Sequence, residues 1–315
     1  MENTELTGTI VPLVTPFGPD ESFDPQAMGL HVDFVLEQGA DALMPTALTG
    51  EGPLLDRSET VAVWDAVWDA ADGRVPVVPA VISTTTRGAV GLVRAAEERG
   101  AAAVMVAPIL PELYAGRAHD DVYAFYADVA GATSLPIILF NYPSLTGVDL
   151  VPCLVERLVE IENVRFIKES TGDSKRVHSL HRVVGERLTV ICGAPNVALE
   201  SLALGCRTWI TGIMNAVPRS SRQLVQAVAD FGDLPLARRV YYEQILPLVD
   251  VLAANNNPTG TIKAAVRARA VDVGVPRRPG QDVSLAEQGH LQELMAKVAR
   301  AEAQTAMQLQ SLGRR

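Results

Sequence analysis

The chain has 315 residues, 48% hydrophobic and 20% charged, the balance of an ordinary globular protein with a large core. A formal net charge of −10 argues against a surface built for nucleic acid or anionic lipid. No apolar run reaches the roughly 18 residues of a membrane span, and the opening MENTELTGTIV lacks the basic-then-apolar order of a secretory leader. Cys153, Cys192 and Cys206 have no metal-type spacing and lie in apolar surroundings, so they read as reduced core thiols of a cytoplasmic protein. The histidines are scattered; only His178 and His181 are close, and no nearby acid completes a metal set.

Short runs rich in Val and Ile alternate with amphipathic stretches. Strands are predicted over 8–13, 42–45, 75–82, 102–107, 136–140, 164–168, 188–192 and 208–211. Helices are predicted between and after them, over 24–38, 57–71, 86–99, 118–129, 149–158, 174–184, 196–204 and 219–231. Asp56-Arg57-Ser58-Glu59 has capping-box spacing, and Val61, Trp64, Val67 and Trp68 follow on one helical face, read as core packing. Nearly continuous apolar strands belong in a parallel sheet covered by helices, and eight strand–helix pairs in order match a closed (β/α)8 TIM barrel. A doubly wound sheet would need a phosphate-binding glycine turn after an early strand, and none is present. Residues 1–231 therefore read as the catalytic barrel and 232–315 as a C-terminal helical appendage. Its predicted helices run over 235–254, 259–270 and 284–309, with the tail from Leu291 expected to fray.

In such a barrel the chemistry gathers at the C-terminal ends of the strands. Those ends carry Thr15-Pro16-Phe17, Thr49-Gly50-Glu51, Pro108, Phe140-Asn141-Tyr142-Pro143, Lys168-Glu169, Gly193 and Thr211-Gly212. Lys168 ends the apolar strand Val164-Arg165-Phe166-Ile167-Lys168. Alternation puts Val164, Phe166 and Lys168 on one face and Ile167 on the other. A primary amine delivered into an apolar interior loses part of its charge and can attack a carbonyl. The plain alternative is a lysine whose stem packs while its head snorkels to water. Hydroxyls and turn N–H groups beside the amine suit a carbonyl substrate that also carries a carboxylate.

The same positions resemble the dihydrodipicolinate synthase/N-acetylneuraminate lyase superfamily of class I, Schiff-base aldolases, over essentially the whole chain. The matching pieces are Val11-Pro12-Leu13-Val14-Thr15-Pro16-Phe17, Thr49-Gly50-Glu51-Gly52 and Asn141-Tyr142-Pro143-Ser144-Leu145-Thr146-Gly147. Ile167-Lys168-Glu169-Ser170-Thr171-Gly172-Asp173 and Cys192-Gly193-Ala194 complete them. The resemblance implies that Lys168 forms an imine with pyruvate or another 2-oxo acid, with no metal or organic cofactor. It implies that Thr49 and the N–H groups of the turn through Gly50 bind the substrate carboxylate while Glu51 braces that turn. Gly193 and Ile210 then complete the binding residues at the ends of strands seven and eight. It also implies a homo-oligomer, a dimer or a homotetramer built from dimers, with an aldehyde as the second substrate.

The departures are as informative. Leu48 replaces the first of two hydroxyl residues, Phe140 the tyrosine beside the lysine, and Leu110 the tyrosine lent by a neighbouring subunit. A hydroxyl relay cannot run through these three. Tyr142 and Tyr114 are the side-chain substitutes at hand, with water or the substrate's own carboxylate or hydroxyl as the other proton carriers. Leu145 stands where true dihydrodipicolinate synthases carry an arginine for the aldehyde's carboxylate, which argues against that reaction. Leu48, Phe140, Leu110 and Leu145 together predict an acceptor less polar than a sugar acid. A dehydratase acting on a 2-oxo-3-deoxy sugar acid, and an inactive paralogue that only binds a 2-oxo acid, are the competing readings.

Overall fold

The computed structural model describes residues 6–108, 119–269 and 271–313, and its centre is one sheet of eight parallel strands. These are β1 (Gly8–Pro12), β2 (Ala42–Met44), β3 (Ala80–Ser83), β4 (Val104–Pro108), β5 (Ile137–Asn141), β6 (Val164–Glu169), β7 (Thr189–Cys192) and β8 (Thr208–Ile210). They pair in the order β2-β1-β8-β7-β6-β5-β4-β3. The two edges meet through a Leu43–Val77 bridge, in which Leu43 N–H donates to Pro76 C=O (3.1 Å) and Val78 N–H to Leu43 C=O (2.8 Å). The sheet is thus a closed (β/α)8 barrel. The third strand was expected from residue 75 but begins at Ala80, because Pro76 and Pro79 have no N–H to give a ladder.

Helices α1 (Pro25–Glu37), α2 (Arg57–Ala71), α3 (Thr86–Glu98), α4 (His119–Ala130), α5 (Pro152–Leu158), α6 (Ser174–Val184), α7 (Ala198–Ala203) and α8 (Pro218–Val225) follow the strands in turn. The capping box of α2 forms, with Asp56 N–H donating to Glu59 Oε2 (3.0 Å) and Glu59 N–H to Asp56 Oδ1 (2.8 Å). Its buried stripe is Thr60, Val63, Trp64, Val67 and Ala71; Val61 and Trp68, expected on that face, are only partly buried. Cys192 and Cys206 are buried free thiols, whereas Cys153, expected in the core, is exposed on the solvent side of α5.

Four further helices follow: α9 (Leu234–Val240), α10 (Leu246–Ala254), α11 (Pro258–Arg267) and α12 (Leu285–Leu312). A π turn at Tyr241–Ile245 splits the helix expected over 235–254, just before Pro247, which lacks the N–H for a regular turn. The tail does not fray among the described residues. Leu291, Leu294, Met295, Val298, Glu302, Thr305 and Leu309 form a buried helical stripe. Glu302 binds Arg269 (2.8 Å) and Ser220 Oγ (2.8 Å), which ties α12 to α8. No helix among the described residues is long and apolar enough to cross a membrane.

Two apolar cores flank the sheet. Ile10, Met44, Met105, Ile138, Phe166, Ile191 and Ile210 fill the barrel, while Val11, Leu43, Val106, Leu139, Ile167 and Trp209 pack outward against the helices. One expectation fails here: Val164 lies in the outer core with Ile167. Ile137 pairs with Val164 and Ile138 with Phe166, so Arg165 is an extra, exposed residue, and this bulge resets the alternation. Phe166 and Lys168 keep the inner face.

Beneath β1, Asn215 Oδ1 accepts from Val14 N–H (2.9 Å) and lies 2.8 Å from His31 Nε2, on α1. Its Nδ2 donates to Pro12 and Gly212 carbonyls (both 2.8 Å), which makes His31 Nε2 the protonated nitrogen. Complete burial pulls the His31 pKa from 6.5 to about 4. The unfolded imidazole therefore takes its proton well before the folded one, so stability is full above pH 6.5 and falls as pH drops toward 4. The loss amounts to about 3 kcal/mol. Urea midpoints of the wild type and His31→Gln across that window should show a steeper acid decline for the wild type.

Candidate active site

Lys168 occupies β6 beside Phe140 of β5, its register partner, and both side chains face the barrel interior. Lys168 is 8% exposed, and its Nζ lies 4.8 Å from the centre of the Phe140 ring. Burial pulls its pKa from 10.5 to about 8, with Cys192 pulling the other way. The strand stops in a polar turn. Glu169 faces out of the barrel, where its Oε2 accepts from Asn141 Nδ2 (2.7 Å) and its Oε1 from Thr171 N–H (2.7 Å). Asn141 Oδ1 accepts from Leu150 N–H (2.9 Å), and Ser170 N–H donates to Asn141 C=O (2.9 Å). The ends of β5 and β6 are thereby locked together around the amine.

Gly193, just past β7, is glycine for lack of room. A Cβ there would sit 2.0 Å from Ser170 Oγ, 2.8 Å from Glu169 C=O and 3.0 Å from Lys168 Cγ. The neighbouring Ser170 Oγ is buried and has no hydrogen-bond partner among the described residues.

The loop after β2 is held with strain. Thr46 (φ 58°) and Glu51 (φ 56°) are both left-handed, which is unusual for a β-branched residue above all. Trp64 Nε1 donates to Thr46 Oγ1 (2.8 Å), and Thr46 Oγ1 donates in turn to backbone carbonyls of Pro45 and Ala80. A Cβ on Gly50 would meet Leu13 C=O at 2.5 Å, and Thr15 Oγ1 donates to Gly50 C=O (2.6 Å). Thr49, partly buried, faces the end of β8, its Oγ1 lying 2.7 Å from where a Gly212 Cβ would be. Glu51 grips the C-terminal region with both oxygens: Oε1 is 2.7 Å from Lys263 Nζ, and Oε2 accepts from Arg277 N–H (2.8 Å). Lys263 is fully buried, donates to Val275 C=O (2.9 Å) and lies 4.5 Å over the Phe17 ring. Burial pushes its pKa down while Glu51 holds it up.

The remaining predicted residues line this end of the barrel or lie outside the described part. Phe140 and Ile210 are buried in the interior core, and Leu48 and Tyr142 pack against it. The Tyr142 ring meets Phe140 edge-on at 6.1 Å. Leu145 is 43% exposed on the single helical turn Pro143–Thr146. Leu110 and Tyr114 lie outside the described residues. Ile82, near the end of β3, also packs against the interior core and was not among the predicted pocket residues, although its place near a strand end signalled it. Ser170, Lys263 and Arg277 were missed as well. Period-2 alternation from Lys168 pointed to Ser170, whereas nothing local marked the other two.

Barrel, helical appendage and strand-end lysine together belong to a carbon–carbon lyase of the pyruvate-dependent aldolase type. The family model described as "Dihydrodipicolinate synthetase family" matches residues 5–298, and the chain belongs to that family. The 4-hydroxy-tetrahydrodipicolinate synthase of Thermomicrobium roseum is 33% identical over 301 residues, covering 93% of this chain and 98% of its own. The crystal structure of dihydrodipicolinate synthase from Acinetobacter baumannii, complexed with pyruvate, superposes with a TM-score of 0.87 at 28% identity, covering 94% and 99% of the two chains. YagE, a family protein from an Escherichia coli K12 prophage also solved with pyruvate, gives a TM-score of 0.86 at 27% identity, covering 93% and 98%.

Glu51→Gln keeps the shape of the brace and removes its charge, leaving Lys263 buried without a counter-ion. It should destabilise the chain by about 3 kcal/mol. Much of that loss should be absent in the Glu51→Gln, Lys263→Met double variant, as read from a double-mutant cycle in urea.

Proposed function

We propose that Lys168 condenses with the keto group of pyruvate or a related 2-oxo acid and that the chain makes or breaks a C–C bond to an aldehyde through the resulting enamine. The observation that carries this reading is the buried amine near the strand end, with its pKa drawn to about 8. About a tenth of such an amine is neutral at pH 7, against a negligible fraction for an ordinary lysine. Pyruvate bound to two relatives supports the same substrate here. The protonated imine then serves as the electron sink, so that a bond to C3 can break and leave an enamine. Thr49 and the N–H groups of the constrained turn through Gly50 hold the carboxylate, and Glu51 keeps that turn in place through Lys263 and Arg277.

The acceptor side is apolar. Phe140, Leu48, Ile82 and Ile210 belong to or pack against the interior core, and Leu145 is exposed at the rim. Tyr142, packed on Phe140, adds a phenol. This wall favours a hydrophobic or aromatic aldehyde. Relatives carry the name 4-hydroxy-tetrahydrodipicolinate synthase, but Leu145 offers no cation to the carboxylate of that reaction's aldehyde.

Incubation with pyruvate and cyanoborohydride should add the mass of one reduced pyruvate adduct to the wild type and nothing to Lys168→Ala. The adduct's rate of formation should rise with pH through about 8, where half of the amine is neutral, and level off about a unit higher. In an aldehyde screen, aromatic and aliphatic acceptors should outrun polyhydroxylated sugars. A sugar as the best acceptor would overturn the apolar-wall reading while leaving the imine untouched.

A further inference from the structure

Ser170 carries a feature that the fold itself does not require. It lies one residue past β6, where its N–H still donates to Asn141 C=O, and its hydroxyl and the Lys168 stem both border the space at Gly193. Its hydroxyl is shut off from solvent and bonded to no described residue. Leaving a buried hydroxyl unpaired costs about 1–3 kcal/mol, and exceptions of this kind call for a reason. The space beside it exists because residue 193 has no side chain: the missing methyl would lie 2.0 Å from Ser170 Oγ and 3.0 Å from the Lys168 stem. Across the amine stands Phe140, which can neither give nor take a proton. The Tyr142 ring stands nearly perpendicular to that of Phe140, 6.1 Å away centre to centre. Glu169, the nearest carboxylate in sequence, is committed to Asn141 and to Thr171 N–H outside the barrel.

Resting on the imine reading above, we propose that Ser170 is a catalytic residue that relays the first proton of imine formation. When Lys168 Nζ attacks the keto carbon, the N–C bond forms and the C=O pair moves onto oxygen, giving an ammonium beside an alkoxide. Ser170 Oγ hands its proton to the alkoxide and takes one from Nζ. The adduct becomes a neutral carbinolamine and the serine ends as it began. No net proton is consumed, and no outside acid is needed for this step. The alkoxide supplies the hydrogen-bond partner that the hydroxyl lacks in the free enzyme, so the orphaned group is satisfied only once substrate has added.

The test follows pyruvate adduct formation over time by acid–borohydride quench and intact mass, for the wild type, Ser170→Ala, Ser170→Thr and Tyr142→Phe. Ser170→Ala should form the adduct about 10²-fold more slowly, yet reach the same final labelling. Its melting temperature should not fall, because the alanine removes an unpaired buried polar atom. Ser170→Thr, which keeps the hydroxyl, should restore most of the rate. A wild-type rate in Ser170→Ala, or a slow rate in Tyr142→Phe alone, would overturn the proposal. So would a drop in melting temperature and final labelling together, which would make the serine structural. If the wild type itself gains no adduct with pyruvate or any longer 2-oxo acid, the Lys168 reading fails first.

Discussion

Keeping an ammonium group out of water is the constraint around which this end of the molecule is organised. A shift of the Lys168 pKa from 10.5 to about 8 is equivalent to about 3 kcal/mol of disfavoured charge at neutral pH. The closed barrel supplies the dry interior that produces the shift, and the bulge at Arg165 sets which residues of β6 reach it. Phe140 offers the amine a ring face and no hydrogen bond. The Glu169 carboxylate spends its bonds on Asn141 and Thr171 outside the barrel, away from the amine.

A second buried lysine does the opposite work. Lys263 is matched to Glu51, to the Val275 carbonyl and to the Phe17 ring, so its charge is accommodated. The pairing joins a loop near residue 50 to a helix near residue 260, and Arg277 adds its own N–H to the same carboxylate. The helices after the barrel are thus tied to the loop after β2, because Lys263 and Arg277 hold Glu51. The chain holds two buried amines, one isolated from any carboxylate partner among the described residues and one matched to Glu51.

Much of this was legible in the sequence because it is local. Strand after strand of β-branched residues, each ending in a turn, specified the barrel, and Lys168 stood out as an amine at the end of an apolar strand, although that segment alone also fitted a lysine that snorkels to water. Gly193 stood out by its place alone, and the structure supplies the reason: its neighbours fill the space of a side chain. What escaped the reading depends on backbone detail or on distant partners. The bulge that moves Val164 outward has no signature in an unbroken apolar run. The Lys263–Glu51 and His31–Asn215 contacts each join residues about two hundred positions apart, and no periodicity encodes them. The tail was expected to fray because it is Ala/Gln-rich with only moderate periodicity, yet a narrow apolar stripe and the buried Glu302 pairings hold it. Cys153 was placed in the core by its apolar neighbours, although the helical rotation of α5 turns it to solvent.

The barrel's closure is uneven. Six junctions are ladders of three or more residue pairs and β7–β8 is joined at one, Cys192 with Trp209, whereas β2 and β3 meet only through an isolated bridge and a few hydrogen bonds, since Pro76 and Pro79 deny the seam its donors. A cylinder stitched this way has a hem: thermal opening begins where the fewest bonds must be broken. That hem borders the loop carrying the left-handed Thr46, whose hydroxyl bonds across it to Ala80. A thinly stitched seam of the scaffold and the strained loop after β2 are therefore neighbours, and Trp64 and Thr46 act as the clasp between them.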